Sequence, residues 1–294
     1  NTWTNHPAFT FGDTELTGIW VSKFEASSNT PTATDGGGNT TTLYVKSVPN
    51  VASWRSITIG NSFTVSRNME TNTIYGWDDS GNNLDTHLIK NSEWGAVAYL
   101  TQSTYGKNAE VWINNDSTYT TGCAGTGVSV APNAGCQNVY NIGDGTKAST
   151  TGTIYGIYDM SGGAWERTSA YFTTGSSSLT TYGSNIINAE AKYKDTYVGY
   201  STNIDDRASS LASKGEGLYE TSVGAWYDGV AWQGSQTSWY TDYSLYPYSP
   251  GPWFLHGGAY SDGAHAGVFG FSGTVGNAYS SYSFRSVILV GAGL

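Results

Sequence analysis

Thirty-eight glycines punctuate the 294-residue chain, and the apolar residues between them come in short clusters. Glycine weakens helix and strand interiors by roughly 0.5–1 kcal/mol relative to alanine, so this spacing favours short strands joined by ordered turns. Phe9-Thr10-Phe11, Leu16 to Phe24 and Thr42 to Val45 gather β-branched and aromatic residues between Gly and Asn, as short strands do. Ile154 to Met160, Ala164 to Thr168 and Val268 to Phe271 are further strands or buried turns. Ser27 to Thr41, with three consecutive glycines, reads as a loop. One stretch is helical in pattern: from Asn91 to Tyr105, Trp94, Val97, Ala98 and Thr101 recur at three- and four-residue spacing, with Asn91 as N-cap and Gly106 as stop. A weaker helix is expected around Asp205 to Ser213. Without a repeat or a charged linker, the chain reads as one α+β domain over residues 1–294, with few helices, short strands and long ordered loops.

Charge and cysteine content narrow the function. Thirteen scattered Lys and Arg against 23 Asp and Glu give a net charge of −10, which argues against nucleic-acid or anionic-membrane partners. No apolar run approaches the roughly 18 residues of a spanning helix. The first residues do not resemble a signal peptide, so the start is expected to be a processed end or a trimmed one. Cys123 and Cys136 bracket a loop-like stretch without a histidine beside them, which fails the ligand count of a zinc site. A disulfide, favoured over two reduced thiols, places the chain outside the cytoplasm. Asp78 to Asp85 looks superficially like a calcium loop, but Ile89 stands where the acidic twelfth ligand belongs, so a solvated turn is expected. His256 and His265 converge only if their segment folds back, and no nucleophile elbow or phosphate-cradling loop is present. Trp226, Trp232, Trp239 and Trp253 crowd one stretch with six tyrosines from Tyr219 to Tyr248. Such rings serve either a core or an adaptable binding surface.

Four segments, in order, resemble the formylglycine-generating-enzyme (sulfatase-modifying factor) family. Gly18-Ile19-Trp20-Val21-Ser22-Lys23-Phe24-Glu25 is similar to its opening strand, and Asn91-Ser92-Glu93-Trp94-Gly95-Ala96-Val97-Ala98-Tyr99 to its Trp-containing helix. Tyr155-Gly156-Ile157-Tyr158-Asp159-Met160-Ser161-Gly162-Gly163-Ala164-Trp165-Glu166 is similar to its L-Y-D-M-x-G-N-V-W-E signature, the most specific match. Leu255-His256-Gly257-Gly258-Ala259-Tyr260 and Ser283-Phe284-Arg285 resemble its R-G-G-S-W and G-F-R elements. The resemblance implies a variant C-type lectin fold, with Trp165 and Phe284 mostly buried. The stretch from about Phe172 to Pro252 is only loosely covered. The family's catalytic cysteines are missing: residues 259–269 contain none, and a thiolate oxidase cannot work without them. The E-P-N, Q-P-D and W-N-D sugar motifs of calcium-dependent lectins are missing too. No catalytic residue, metal or cofactor is therefore expected.

Residues 253–288 also resemble the variable region of proteins diversified by retroelements, in which adenine-directed mutagenesis rewrites selected codons on a fixed lectin-type scaffold. That resemblance makes Gly257, Gly258, Ala266, Gly267, Phe269, Phe284 and Arg285 scaffold. It makes Ala259, Tyr260, Ser261, Ala264, His265, Gly270, Ser272, Gly273, Val275, Tyr279, Ser280, Ser281 and Tyr282 candidate variable, solvent-facing, ligand-binding positions. Gly270 and Ser272 beside Phe269 and Phe271 suit a strand with one buried face. The expected function is a non-enzymatic, extracellular, cell-surface or virion protein that binds a protein or glycan ligand on a cell surface. The rivals are an oxidase or hydrolase with a displaced site and an adhesin with one fixed glycan specificity.

Overall fold

The computed structural model describes residues 5–31, 34–77, 83–198, 215–218, 220–222, 226–227, 232–233 and 237–291. The expected helix at Asp205 to Ser213 and most of the Asp78 to Asp85 turn lie outside them. Among the described residues the chain is α+β, with many short strands and three α-helices, α1 (Ile59–Asn68), α2 (Asn91–Thr101) and α3 (Ser177–Asn188). None of these helices is long and apolar enough to cross a membrane.

Two sheets carry the architecture. One antiparallel sheet joins β1 (Trp20–Val21) and β2 (Leu84–Leu88) to the last strand, β8 (Ser286–Val290). The other has five strands: β3 (Trp165–Phe172) pairs with β4 (Asp195–Tyr197), β5 (Trp253–Gly257) and β7 (Tyr282–Phe284), and β5 pairs with β6 (Gly267–Thr274). Only Arg285 separates β7 from β8, so the chain changes sheets there. Its buried guanidinium forms an ion pair with Glu166 of β3 and donates to the Tyr158 carbonyl. Glu166 comes from the signature segment, so two of the sequence motifs meet in one charge pair.

Strand residues alternate between faces, and in the five-stranded sheet both faces are covered over most of their length. One face presents Ala170, Phe172, Phe254 and Phe271, which cluster with Tyr197, Leu218 and Tyr246. The other carries Tyr171 and Trp253 into the main core. There α3 lies on Trp253 so closely that a Cβ at Gly183 would sit 2.3 Å from the indole. Phe284 packs on Trp54, and α2 contributes Trp94, whose indole N–H donates to the Val268 carbonyl at 2.8 Å while its ring stacks on His256. Burying each such ring contributes about 1.5–3 kcal/mol.

The structure corrects several local expectations. The helix at Trp94 starts after Lys90, not Asn91, because Glu93 reaches back to the Lys90 amide at 2.8 Å, and it ends at Thr101. Helices α1 and α3 have no apolar period that marks them in the sequence. Their inward faces mix Ile59, Phe63, Leu179 and Ile186 with Gly60, Ser62, Ser66 and Gly183, and these small residues hide the apolar period. Of the two readings of Ile154 to Met160, strand or buried turn, the second holds for its later half: Tyr158 and Met160 are buried, whereas Ile154 and Tyr155 are exposed. Cys123 and Cys136 are joined as a disulfide, which ties down the loop between two short paired strands.

Candidate functional site

Towards one end of the Trp253 face the covering elements stop, leaving a cleft of about 450 Å³. The register explains its walls. Trp165 lies beside Tyr282 on β7, and Leu255 lies beside Ser272 on β6. Tyr243 closes one side, meeting Trp165 edge-on, and Ser261, Asp262 and His265 form the rim. Among the candidate variable positions Ser261, His265, Ser272 and Tyr282 therefore converge from three segments. Tyr279 and Ser280 are exposed nearby, and Tyr260, Ala264, Val275 and Ser281 are half-buried.

Three candidate positions do not fit the solvent-facing assignment. Ala259 is 5% exposed, with its amide bonded to Asp262. Gly270 is itself buried, so the side of the strand opposite Phe269 and Phe271 is covered too and the expected one-sided burial fails there. Gly273 is half-buried, but a Cβ there would sit 2.9 Å from the Gly251 carbonyl oxygen and the Pro247 Cα. Trp165 departs in the other direction. It is half-buried rather than buried, because it forms the cleft wall. Sequence reasoning also left Tyr243, Leu255 and Asp262 without a site role. Only the aromatic-rich stretch pointed to Tyr243, and that stretch is divided: Trp253 and Tyr246 are core, Tyr243 faces the cleft, and the Trp239 ring is 44% exposed.

The backbone under this face is held from outside it. Arg55, itself buried, donates to the carbonyls of Ser280 and Thr34, and the Ser56 amide donates to the Tyr279 carbonyl at 3.0 Å. Arg167 donates to the Asn277 carbonyl. In the rim turn, Gly258 has φ +79° and would place a Cβ 2.6 Å from the Ala266 Cα, so only glycine fits. The Asp262 carboxylate accepts the Ala259 amide at 2.8 Å, and the Tyr260 amide donates to Gly163. The turn that carries positions 260, 261, 264 and 265 is thus held by Gly258, by the Asp262 carboxylate and by the backbone of Gly163.

Electrostatics in the cleft follow from partial burial. Desolvation pushes the Asp262 carboxyl above its ordinary value, opposed by hydrogen bonds from the Ala259 amide and the Trp165 indole and by the nearby His265. Burial raises the Tyr243 and Tyr282 hydroxyls and drives Arg167 down to about 9. His265 Nδ1 lies 3.1 Å from the Thr241 carbonyl, whereas His256 is buried against Trp94 and pairs with Asn91 Oδ1 at 2.9 Å. Burial pushes His256 down to about 3, so it is a neutral core residue, and the two histidines serve separate surroundings. No group of three or more His, Cys, Asp or Glu among the described residues is arranged to hold a metal ion.

No family model matches the chain, and a comparison with curated proteins found no match.

Proposed function

We propose that the chain is a C-type lectin-like domain of the formylglycine-generating-enzyme type that acts as a non-enzymatic binding protein. Its segment 253–288 forms a diversified recognition surface for a protein or glycan ligand outside the cell, on a cell surface or a virion. One observation carries the reading. Ser261, His265, Ser272 and Tyr282 meet in one cleft, while the backbone that presents them is fixed by Arg55, Arg167, Gly258 and Asp262. A site built this way tolerates changes in contact residues without changes in fold. Its chemistry is contact-making: Trp165, Tyr243 and Tyr282 supply large, stiff contact area at low entropic cost, and Ser261 and Ser272 supply adaptable hydrogen bonds. The coding locus tests the proposal. A reverse-transcriptase gene and a near-identical second copy of the 253–288 coding segment beside the gene are expected; a locus with neither contradicts it.

A further inference from the structure

Arg167 is fully buried, yet it forms no ion pair with a carboxylate among the described residues. One guanidinium nitrogen, Nη2, donates to the Asn277 carbonyl, while Nε and Nη1 have no hydrogen-bond partner. A charge buried this way calls for an anion, because desolvation is repaid only by close pairing. Its place in the sheet says where an anion would enter. Arg167 is two residues from Trp165 on β3, hence on the same face, and its register partner on β5 is the cleft residue Leu255. The Tyr282 ring, which forms part of the cleft wall, lies over the guanidinium with its centroid 5.2 Å from Cζ. That ring supplies the cation with its π face and shields it from the cleft.

We propose that the residue at position 282 sets the charge class of ligand that the cleft accepts, by covering or uncovering Arg167. With tyrosine in place the ring shields the guanidinium, and the cleft offers a ligand its aromatic wall instead. With a small residue there, Nε and Nη1 face the cleft and take a carboxylate, the planar anion that matches the guanidinium fork. Asp262 does not fill this role, since its carboxylate is engaged by the Ala259 amide in the rim turn. The inference rests on the proposed reading of the cleft as a ligand site. It makes one position switch the site between two ligand chemistries with no change in the scaffold.

The test uses benzoate and its neutral isostere benzamide, titrated calorimetrically into the full chain. The wild-type protein and Tyr282→Phe are expected to bind the two compounds alike. Tyr282→Ala and Tyr282→Ser are expected to favour benzoate by about tenfold or more, the scale of a hydrogen bond to a charged group. Adding Arg167→Met to either should remove that preference, read as the ratio of benzoate to benzamide affinity within the same variant, so that any loosening of the backbone at Asn277 affects both compounds alike. If both small variants bind the two compounds equally, in a manner lost on Trp165→Ala, the switch is overturned while the cleft remains a ligand site. If no form binds either compound, the ligand-site reading fails with it. If neither small variant folds, the ring is structural and the proposal is likewise overturned.

Discussion

Trp165 and Tyr243 meet edge to face in the cleft, with ring centroids 5.9 Å apart and planes at 78°. Neither residue belongs to the candidate variable segment. One comes from the strand that carries the Tyr158 to Glu166 signature, the other from the aromatic-rich stretch before β5. The cleft therefore has an aromatic wall from outside that segment, with Ser261, His265, Ser272 and Tyr282 arranged around it.

Two sets of substitutions separate exposed candidate positions from the core. Tyr279→Ala and Ser280→Ala, at exposed positions, are expected to stay within about ±0.5 kcal/mol of the wild-type stability. Phe271→Ala and Phe284→Ala, both fully buried, should each cost about 3–5 kcal/mol through lost transfer energy and an unfilled cavity. Urea unfolding midpoints check both sets. Equal losses in the two would place Tyr279 and Ser280 in the structural core.

Arg55 offers a test of how the face is held. Its guanidinium donates to Ser280 and Thr34 and lies 3.8 Å from the Tyr119 ring centroid, while Tyr119 in turn packs edge-on to Tyr260. Arg55→Met leaves two carbonyls without their donor, at a cost of about 1–3 kcal/mol for each one that stays buried. Amide hydrogen exchange should accelerate at Ser280 to Tyr282 more than in β5. Unchanged exchange there would remove Arg55 from the support of the face.

A buried charge network predicts the pH dependence. His87 is bracketed by Asp85 Oδ1 at 2.7 Å and Glu93 Oε1 at 2.8 Å, and Arg67 and Lys90 flank the pair. Burial alone would lower the histidine, but the two carboxylates outweigh it and hold His87 above its ordinary value; His87 and its cationic neighbours likewise outweigh desolvation and hold Asp85 and Glu93 low. The histidine's contribution is fully present below its unfolded value of about 6.5 and is lost as pH rises through the folded value. The carboxylates contribute above their unfolded values and lose that contribution as pH falls through their depressed ones. His87→Gln should cost about 3 kcal/mol at pH 6 and flatten the alkaline limb of the stability profile. Denaturant titrations at a series of pH values decide this, and an alkaline limb unchanged by the substitution would contradict the assignment.

Neither cysteine of the disulfide lines the cleft. Closing a loop with a sequence separation of 13 stabilises by about 3 kcal/mol on the chain-entropy model. The double variant Cys123→Ser, Cys136→Ser should lose about that much in thermal or denaturant unfolding and bind benzamide as the wild type does. Loss of binding with the fold intact would tie the loop to the site.

Legibility in the sequence followed the size of the residues that carry each element. The helix at Trp94 is legible through apolar side chains at three- and four-residue spacing, and the strands at Trp165 and Val268 through large apolar side chains beside β-branched or aromatic ones. The buried faces of α1 and α3 are half serine and glycine, so their period was hidden. The cleft was legible as a set of residues and not as a shape. Ser261, His265, Ser272 and Tyr282 could be named from the segment they occupy, whereas Trp165 joins them through a parallel pairing of β7 with β3 between residues more than a hundred positions apart, and Tyr243 through backbone bonds to His265 and Phe271. Gly270 and Gly273 misled because a glycine in a strand reads the same whether it faces solvent or permits the close approach of another backbone.

Amplicon sequencing of the 253–288 coding segment across many clones of the organism that carries the gene tests the central claim most directly. The account expects substitutions concentrated at codons 260, 261, 264, 265, 272, 275 and 279–282, with codons 254–259, 266–271, 273 and 283–285 nearly constant. Substitutions spread evenly over both groups, or a segment that does not vary, would contradict a diversified recognition face and leave a binding site of fixed specificity.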